Sequence, residues 1–239
     1  MNPIHRWSLR SLLGVELNPV SHREKLLSMV GGMVSIWVLI WLTQGILHLP
    51  GAVALIASMG ASAVLLFAVP HGQLSQPWPV IAGHGFSALI GVSCQKWIPD
   101  SWVAAALAVA LSIWVMHQLK CIHPPGGATA LTAVLGGRAI HEQGFGFVLH
   151  PVLINAVLMV AIAVLFNAAF GWRRYPAALG TRRLPETGGA ATHEEIVTAL
   201  RSLDTFVDVS EQDLALLNRL LGELHRKAAS SPSQPDSRS

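Results

Sequence analysis

A chain of 239 residues, 52% hydrophobic and only 12% charged, is not a soluble globular domain, for which about a quarter charged is usual. Its mean hydropathy of +0.50 places it among membrane proteins. The formal net charge of +3 does not point to a nucleic-acid partner, because the basic residues flank the apolar region instead of lining one face.

Residues 1–25 carry Arg6, Arg10, Arg23 and Lys25 and show no signal-peptide pattern. Trp7, Leu9, Leu12 and Leu13 suit either a helix lying on the membrane surface or a solvated tail. Residues 26–49 form the first predicted span, and Pro50-Gly51 a tight turn. Residues 52–69 form the second. Its run Ser58, Gly60, Ala61, Ser62, Ala63 suits close helix packing, or else a break at Met59-Gly60 that frees backbone donors. Residues 80–97 form the third span, with His84, Ser87, Ser93 and Cys94. His84 is read as a satisfied interior histidine or as a substrate contact. The stripe Gly83, Ser87, Gly91 suits helix packing.

Residues 102–119 form the fourth span. The next stretch, Cys121 to Gly137, reads CIHPPGGATALTAVLGG and organises the chain. Pro124 and Pro125 fit the first turn of a helix and cannot continue one. Gly126 and Gly127 leave the backbone open to close approach. Residues 128–135 then read as a helix too short to cross a bilayer alone, whose N-terminus offers unpaired N–H groups to an anion. Residues 145–172 form the last span, which Pro151 kinks and in which Asn155 and Asn167 are the polar points.

Between residues 26 and 172 the only formal charges are Lys96, Asp100, Lys120, Arg138 and Glu142. All lie between predicted spans, so no span is expected to contain a carboxylate. Basic residues before the first span and after the last, including Arg173, Arg174, Arg182 and Arg183, place both termini in the cytoplasm. The fold class is an all-α polytopic membrane bundle of about six segments, the fifth short. The domains are an N-terminal segment 1–25, a transmembrane domain 26–172, a basic linker 173–191, a cytoplasmic two-helix tail 192–228 and a disordered end 229–239. In the tail, Thr192-His-Glu-Glu195 and Ser210-Glu-Gln-Asp213 are capping boxes. Leu214, Leu217, Leu220, Leu221 and Leu224 make an apolar stripe.

Gly60-Ala-Ser-Ala-Val-Leu65 matches Gly127-Ala-Thr-Ala-Leu-Thr132. Each opens the second segment of a three-segment set, and because three is odd the sets run oppositely through the membrane. This is the pattern of an inverted repeat, in which interrupted helices aim their N-termini at substrate.

His123-Pro-Pro-Gly-Gly-Ala-Thr-Ala130 resembles the signature of the HPP family of integral membrane proteins. Residues 59–70 (MGASAVLLFAVP), Gln76-Pro77-Trp78 and Gly83-His84 resemble the same family, over about residues 20–175. Before Gln76 the family's Ser-Pro-Leu-Ala is replaced by Gly72-Gln-Leu-Ser75. The resemblance implies a multi-pass protein and, from some plant and cyanobacterial members, nitrite transport.

The expected function is therefore a transporter or channel for a small monovalent anion, nitrite or nitrate, in the inner membrane. Its substrate-binding residues are expected to be His123, Pro124, Pro125, Gly126, Gly127, Thr129, Ser58, Gly60, Ala61, Ser62 and His84. His123 is read as a donor or proton carrier, or as a packing residue bonded to a backbone carbonyl. The alternative function is a membrane sensor or assembly subunit that signals through its C-terminal helices. No enzyme activity, metal or cofactor is expected, since the eleven histidines are scattered and no HExxH or Cys/His cluster occurs. The expected partners are membrane lipid, the anion and a second copy in a homodimer.

Overall fold

In a computed structural model, residues 20–48 and 56–179 are described. The surface-helix and tail-helix expectations lie outside them. The described residues are helical, without strands. They comprise α1 (His22–Ile40), continued by a π-helical turn (Trp41–Ile46), then α2 (Ile56–Ala68), α3 (Pro77–Trp97), α4 (Ser101–Gln118), α5 (Pro125–Leu135), the short α6 (Arg138–His141) and α7 (Ile154–Ala168), which a π segment (Val148–Leu153) precedes. Among the described residues, three stretches are long and apolar enough to cross a membrane: His22–Ile46, Ser101–Gln118 and Val148–Ala168.

Local chemistry sets the boundaries. Pro77 and Pro125 occupy first-turn positions, where the missing N–H costs nothing. The fifth helix therefore starts at Pro125, not at residue 128. The Asp100 side chain caps α4 by accepting from the backbone N–H of Trp102 and Val103, both at 2.9 Å. The expected kink in the last span falls at His150 (φ −122°, ψ 105°), the residue that Pro151 excludes from helical geometry. The break considered at Met59-Gly60 is absent. Both residues lie inside continuous α2, with Ser58, Met59, Ser62 and Ala63 buried as the close-packing reading requires.

Side-chain bonds define one end of the bundle. Arg173, after α7, is ion-paired to Glu24 at the start of α1 and donates to Phe67 O at the end of α2 (2.6 Å). Tyr175 donates to Ser75 O (2.8 Å), just before α3, and Trp78 at the start of α3 donates to Leu119 O after α4 (3.1 Å). His123, just before α5, bonds Leu74 O. Successive long helices therefore alternate in direction, and the chain enters and leaves the bundle at the same end.

This corner corrects one expectation. Glu24 lies within the first spanning helix and is 3% exposed, so one span does hold a carboxylate. Arg173 neutralises it, with Asn167 Oδ1 accepting from Arg173 Nε (3.1 Å) and Trp172 donating to Glu24 (3.3 Å). Arg173 and Tyr175, expected in a basic linker, are buried.

At the centre, α3 packs on α4, α5 and α7. Its stripe Gly83, Ser87, Gly91 faces α5 within the same chain. A Cβ on Gly91 would stand 2.7 Å from Ala130 O, and one on Gly83 2.7 Å from His123 Cβ. The outer faces of α1 and α4 expose Met29, Met33, Trp37, Trp41, Trp102, Leu111 and Trp114, an apolar surface suited to lipid.

Burial pushes the Tyr175 phenol above its ordinary range. Its folded value therefore exceeds the unfolded one, so its contribution to stability is intact below about pH 10 and is lost as pH rises further. The unfolding temperature in detergent should fall between about pH 9 and pH 11 in the parent, and less steeply in Tyr175→Phe. Equal slopes would refute this.

Candidate functional site

Three helices bring four polar side chains together where solvent does not reach. Ser62 comes from α2, His84 from α3, Thr129 from α5, and His123 from the turn preceding α5; each is 0% exposed. Ser62 Oγ lies 2.8 Å from His84 Nε2 and 2.9 Å from His123 Nε2. His84 Nδ1 lies 2.7 Å from Thr129 Oγ1, and His123 Nδ1 2.8 Å from Leu74 O. The imidazole centroids are 4.9 Å apart at 66°.

Donor–acceptor matching assigns the protons. A carbonyl only accepts, so His123 Nδ1 donates to Leu74 O. In a neutral ring His123 Nε2 then accepts, and the Ser62 hydroxyl donates to it. Ser62 has a single proton, so it accepts from His84 Nε2–H. His84 Nδ1 accepts from the Thr129 hydroxyl. The result is a directed chain, Thr129 to His84 to Ser62 to His123 to Leu74 O, with every polar atom satisfied.

The contacts also admit the reverse order. Thr129 Oγ1 also lies 3.4 Å from Pro125 O, and Ser62 Oγ 3.2 Å from Ser58 O. If the Thr129 hydroxyl turns to Pro125 O, each bond between Thr129 and His123 reverses. His123 then carries protons on both nitrogens. The same side chains thus hold either no excess proton or one.

The other predicted residues divide. Ser58 and Pro125 are buried and supply the carbonyls just named. Gly126 is buried against Ser87 and Gly83. Gly127 has open space where a Cβ would point. Pro124 and Ala61 are exposed and Gly60 is half-buried, so these three are not drawn into the network. The expectation of unpaired N–H groups at Gly126 and Gly127 is corrected. They donate to His123 O (2.9 Å) and Pro124 O (3.0 Å), because the two prolines shape a closed turn. Polar capacity therefore rests on side chains.

Among the described residues, two buried side chains outside the predicted set have no hydrogen-bond partner: Ser87 through Oγ, and Asn155 through both amide atoms. Each unsatisfied group costs about 1–3 kcal/mol. Asn155 was legible only as a polar point in the last span. Among the described residues no three His, Cys, Asp or Glu side chains converge as metal ligands.

The alternating apolar helices and the buried polar centre define a polytopic helical membrane protein. The family described as HPP, transmembrane region, matches residues 17–176, more than half of the chain. The chain belongs to the HPP family. It is 42% identical over 126 residues to a transmembrane protein of Dictyostelium discoideum, covering 51% of this chain and 44% of that one. A second transmembrane protein of the same organism is 40% identical over 126 residues, covering 51% of this chain and 40% of the relative. The chain thus matches less than half the length of these relatives. No solved structure matches.

Proposed function

We propose that this protein is a transporter or channel, not an enzyme, for a small monovalent anion, with nitrite and nitrate favoured. It would work in an inner, plasma-type membrane with both termini cytoplasmic. The observation that carries this reading is the buried Ser62–His84–His123–Thr129 chain, which holds one excess proton when reversed. That proton puts a positive charge on His123 beside the N-terminal, positive end of the 11-residue α5. A cation there needs a counter-charge, and the immediate network supplies none. A small anion meets that need and leaves when the proton does.

We read the helices as six membrane passes in two inverted sets, α1–α3 and α4, α5, α7. The set of helix pairs in contact supports this reading, although α3·α4 and α3·α5 are more extensive than their counterparts. The pair α1·α2 corresponds to α4·α5, α3·α4 to α7·α1, and α3·α5 to α7·α2; α2·α5 and α3·α7 correspond to themselves. Ser62 and Thr129 are equivalent in the matched segments. Each lies near the carbonyl four residues back, and they bond opposite nitrogens of His84.

Uptake of nitrite and nitrate into proteoliposomes tests the function. Saturable flux above protein-free vesicles is expected, falling about tenfold or more in His84→Ala and His123→Ala, as when a charge-assisted bond is lost. Parent protein that moves neither anion would overturn the reading.

A further inference from the structure

We propose that Asn155 and Ser87 form a second polar site that takes a small weak oxyacid in its uncharged, protonated form. The inference rests on the anion-transport reading and narrows it to anions of weak acids, nitrite but not nitrate within the favoured pair.

Placement comes first. Asn155 is 1% exposed and Ser87 0%, and neither has a partner. An apolar residue would be cheaper at either position unless a bound group uses the polar atoms. Ser87 lies three residues after His84 on α3, on the same helix face. Its Oγ is 2.8 Å from where a Cβ on Gly126 would stand, at the opening of α5. Asn155 shares its helix face with Val152 and Met159. Val152 packs with Ala88 and Val92 of α3, and Met159 with Met59 and Ala63 of α2. Asn155 therefore sits where α7 meets α2 and α3.

Register supplies the second argument. Asn155 is seven residues into Val148–Ala168, as His84 is seven residues into Pro77–Trp97, and the two segments run oppositely. The first segment is kinked at His150, so Asn155 is the second residue of α7, whereas His84 is about 10 Å into α3 at 1.5 Å per residue. Because the two segments run oppositely, His84 lies toward the end of the bundle at which α3 begins and Asn155 toward the end at which α3 finishes.

Chemistry selects the ligand. A side-chain amide presents a donor and an acceptor side by side, with no net charge. A bare anion buried there would lack a counter-charge. An undissociated oxyacid, H–O–X=O, matches the amide with two parallel hydrogen bonds. Nitrite and formate become such acids by accepting one proton; nitrate and chloride, anions of strong acids, do not. The proton comes from bulk water through the histidine chain. An imidazolium N–H bond breaks, an O–H bond forms on the anion, and the pair returns to neutral. The titratable groups flanking the pair are buried Cys121, two residues before His123, and Tyr175, whose hydroxyl holds Ser75 O beside Leu74. The network residues from α2 and α5 are Ser62 and Thr129, which do not titrate in water's range.

The test is proteoliposome uptake of nitrite, formate, nitrate and chloride, corrected for protein-free vesicles, with thermal unfolding of each variant in detergent. In the parent, nitrite and formate should move at least about tenfold faster than nitrate and chloride, and faster at lower external pH. Asn155→Leu should lose about tenfold or more of nitrite flux while unfolding at the same or a higher temperature, and Ser87→Ala about threefold to tenfold. Ser87→Ala decides the matter if Asn155→Leu does not fold. Folded variants with full nitrite flux, or nitrate as fast as nitrite in the parent, would overturn this inference while leaving anion transport standing. Parent protein that moves none of the four would remove both.

Discussion

Arg173→Ala is expected to destabilise the membrane unit by about 3–5 kcal/mol, as removal of one partner from a buried ion pair does. The guanidinium is 1% exposed, and its partners are Glu24, the Asn167 side-chain oxygen and Phe67 O. Truncation leaves all three without the guanidinium, and Glu24 keeps the Trp172 indole N–H among its donors. Burial lowers the Arg173 proton affinity while Glu24 opposes that, so the group stays charged at neutral pH. The double variant Glu24→Leu/Arg173→Met should recover most of the loss, because it removes both charges and keeps volume. Denaturation in detergent measures both. A single variant within about 1 kcal/mol of the parent, the usual range for an exposed pair, would show that the pair is not structural.

Gly91→Val is expected to cost at least about 1–3 kcal/mol, the range for overpacking a close contact, and to reduce anion flux. Its Cβ would stand 2.7 Å from Ala130 O and 2.7 Å from Ala133 Cβ, and backbone cannot yield as a flexible side chain does. The helices must separate, and α3 carries His84 while α5 carries Thr129. Gly126→Ala should act similarly, with its Cβ 2.8 Å from Ser87 Oγ and 2.9 Å from Gly83 O. Gly127→Ala should be neutral or stabilising by up to about 1 kcal/mol, since nothing lies within 4 Å of the added carbon. Unfolding measured on all three separates the two adjacent glycines. Equal stability of Gly126→Ala and Gly127→Ala would refute the packing argument.

The polar centre was largely legible in the sequence. Ser62, His84, His123 and Thr129 interrupt apolar stretches, and a polar group inside a span must face protein or water. The carbonyl-bonded reading of His123 describes its Nδ1, which donates to Leu74 O, while its Nε2 lies against Ser62. The sequence could not tell which donors were spent. Prolines and glycines announced a helix start, but only coordinates show the Gly126 and Gly127 N–H groups closed into the turn. Periodicity was equally silent about the Glu24–Arg173 pair. Both residues lie at span edges, where charge is ordinary, and their contact joins positions 149 apart. Ser58, Gly60, Ala61 and Ser62 were one small-residue run to the eye. The turn of α2 divides it, burying the two serines and turning Ala61 outward.

The 149-residue separation of Glu24 from Arg173 also imposes a schedule on biosynthesis. At about 5–20 residues per second, the carboxylate emerges from the ribosome about 7–30 s before its guanidinium. Through that interval the first helix carries an acid that has not yet met this guanidinium. The bundle therefore cannot dry out in the order it is made. The first helix stays provisional until residue 173 arrives, and a chain halted between residues 168 and 173 holds α1 to α7 without the contact that ties α7 to α1.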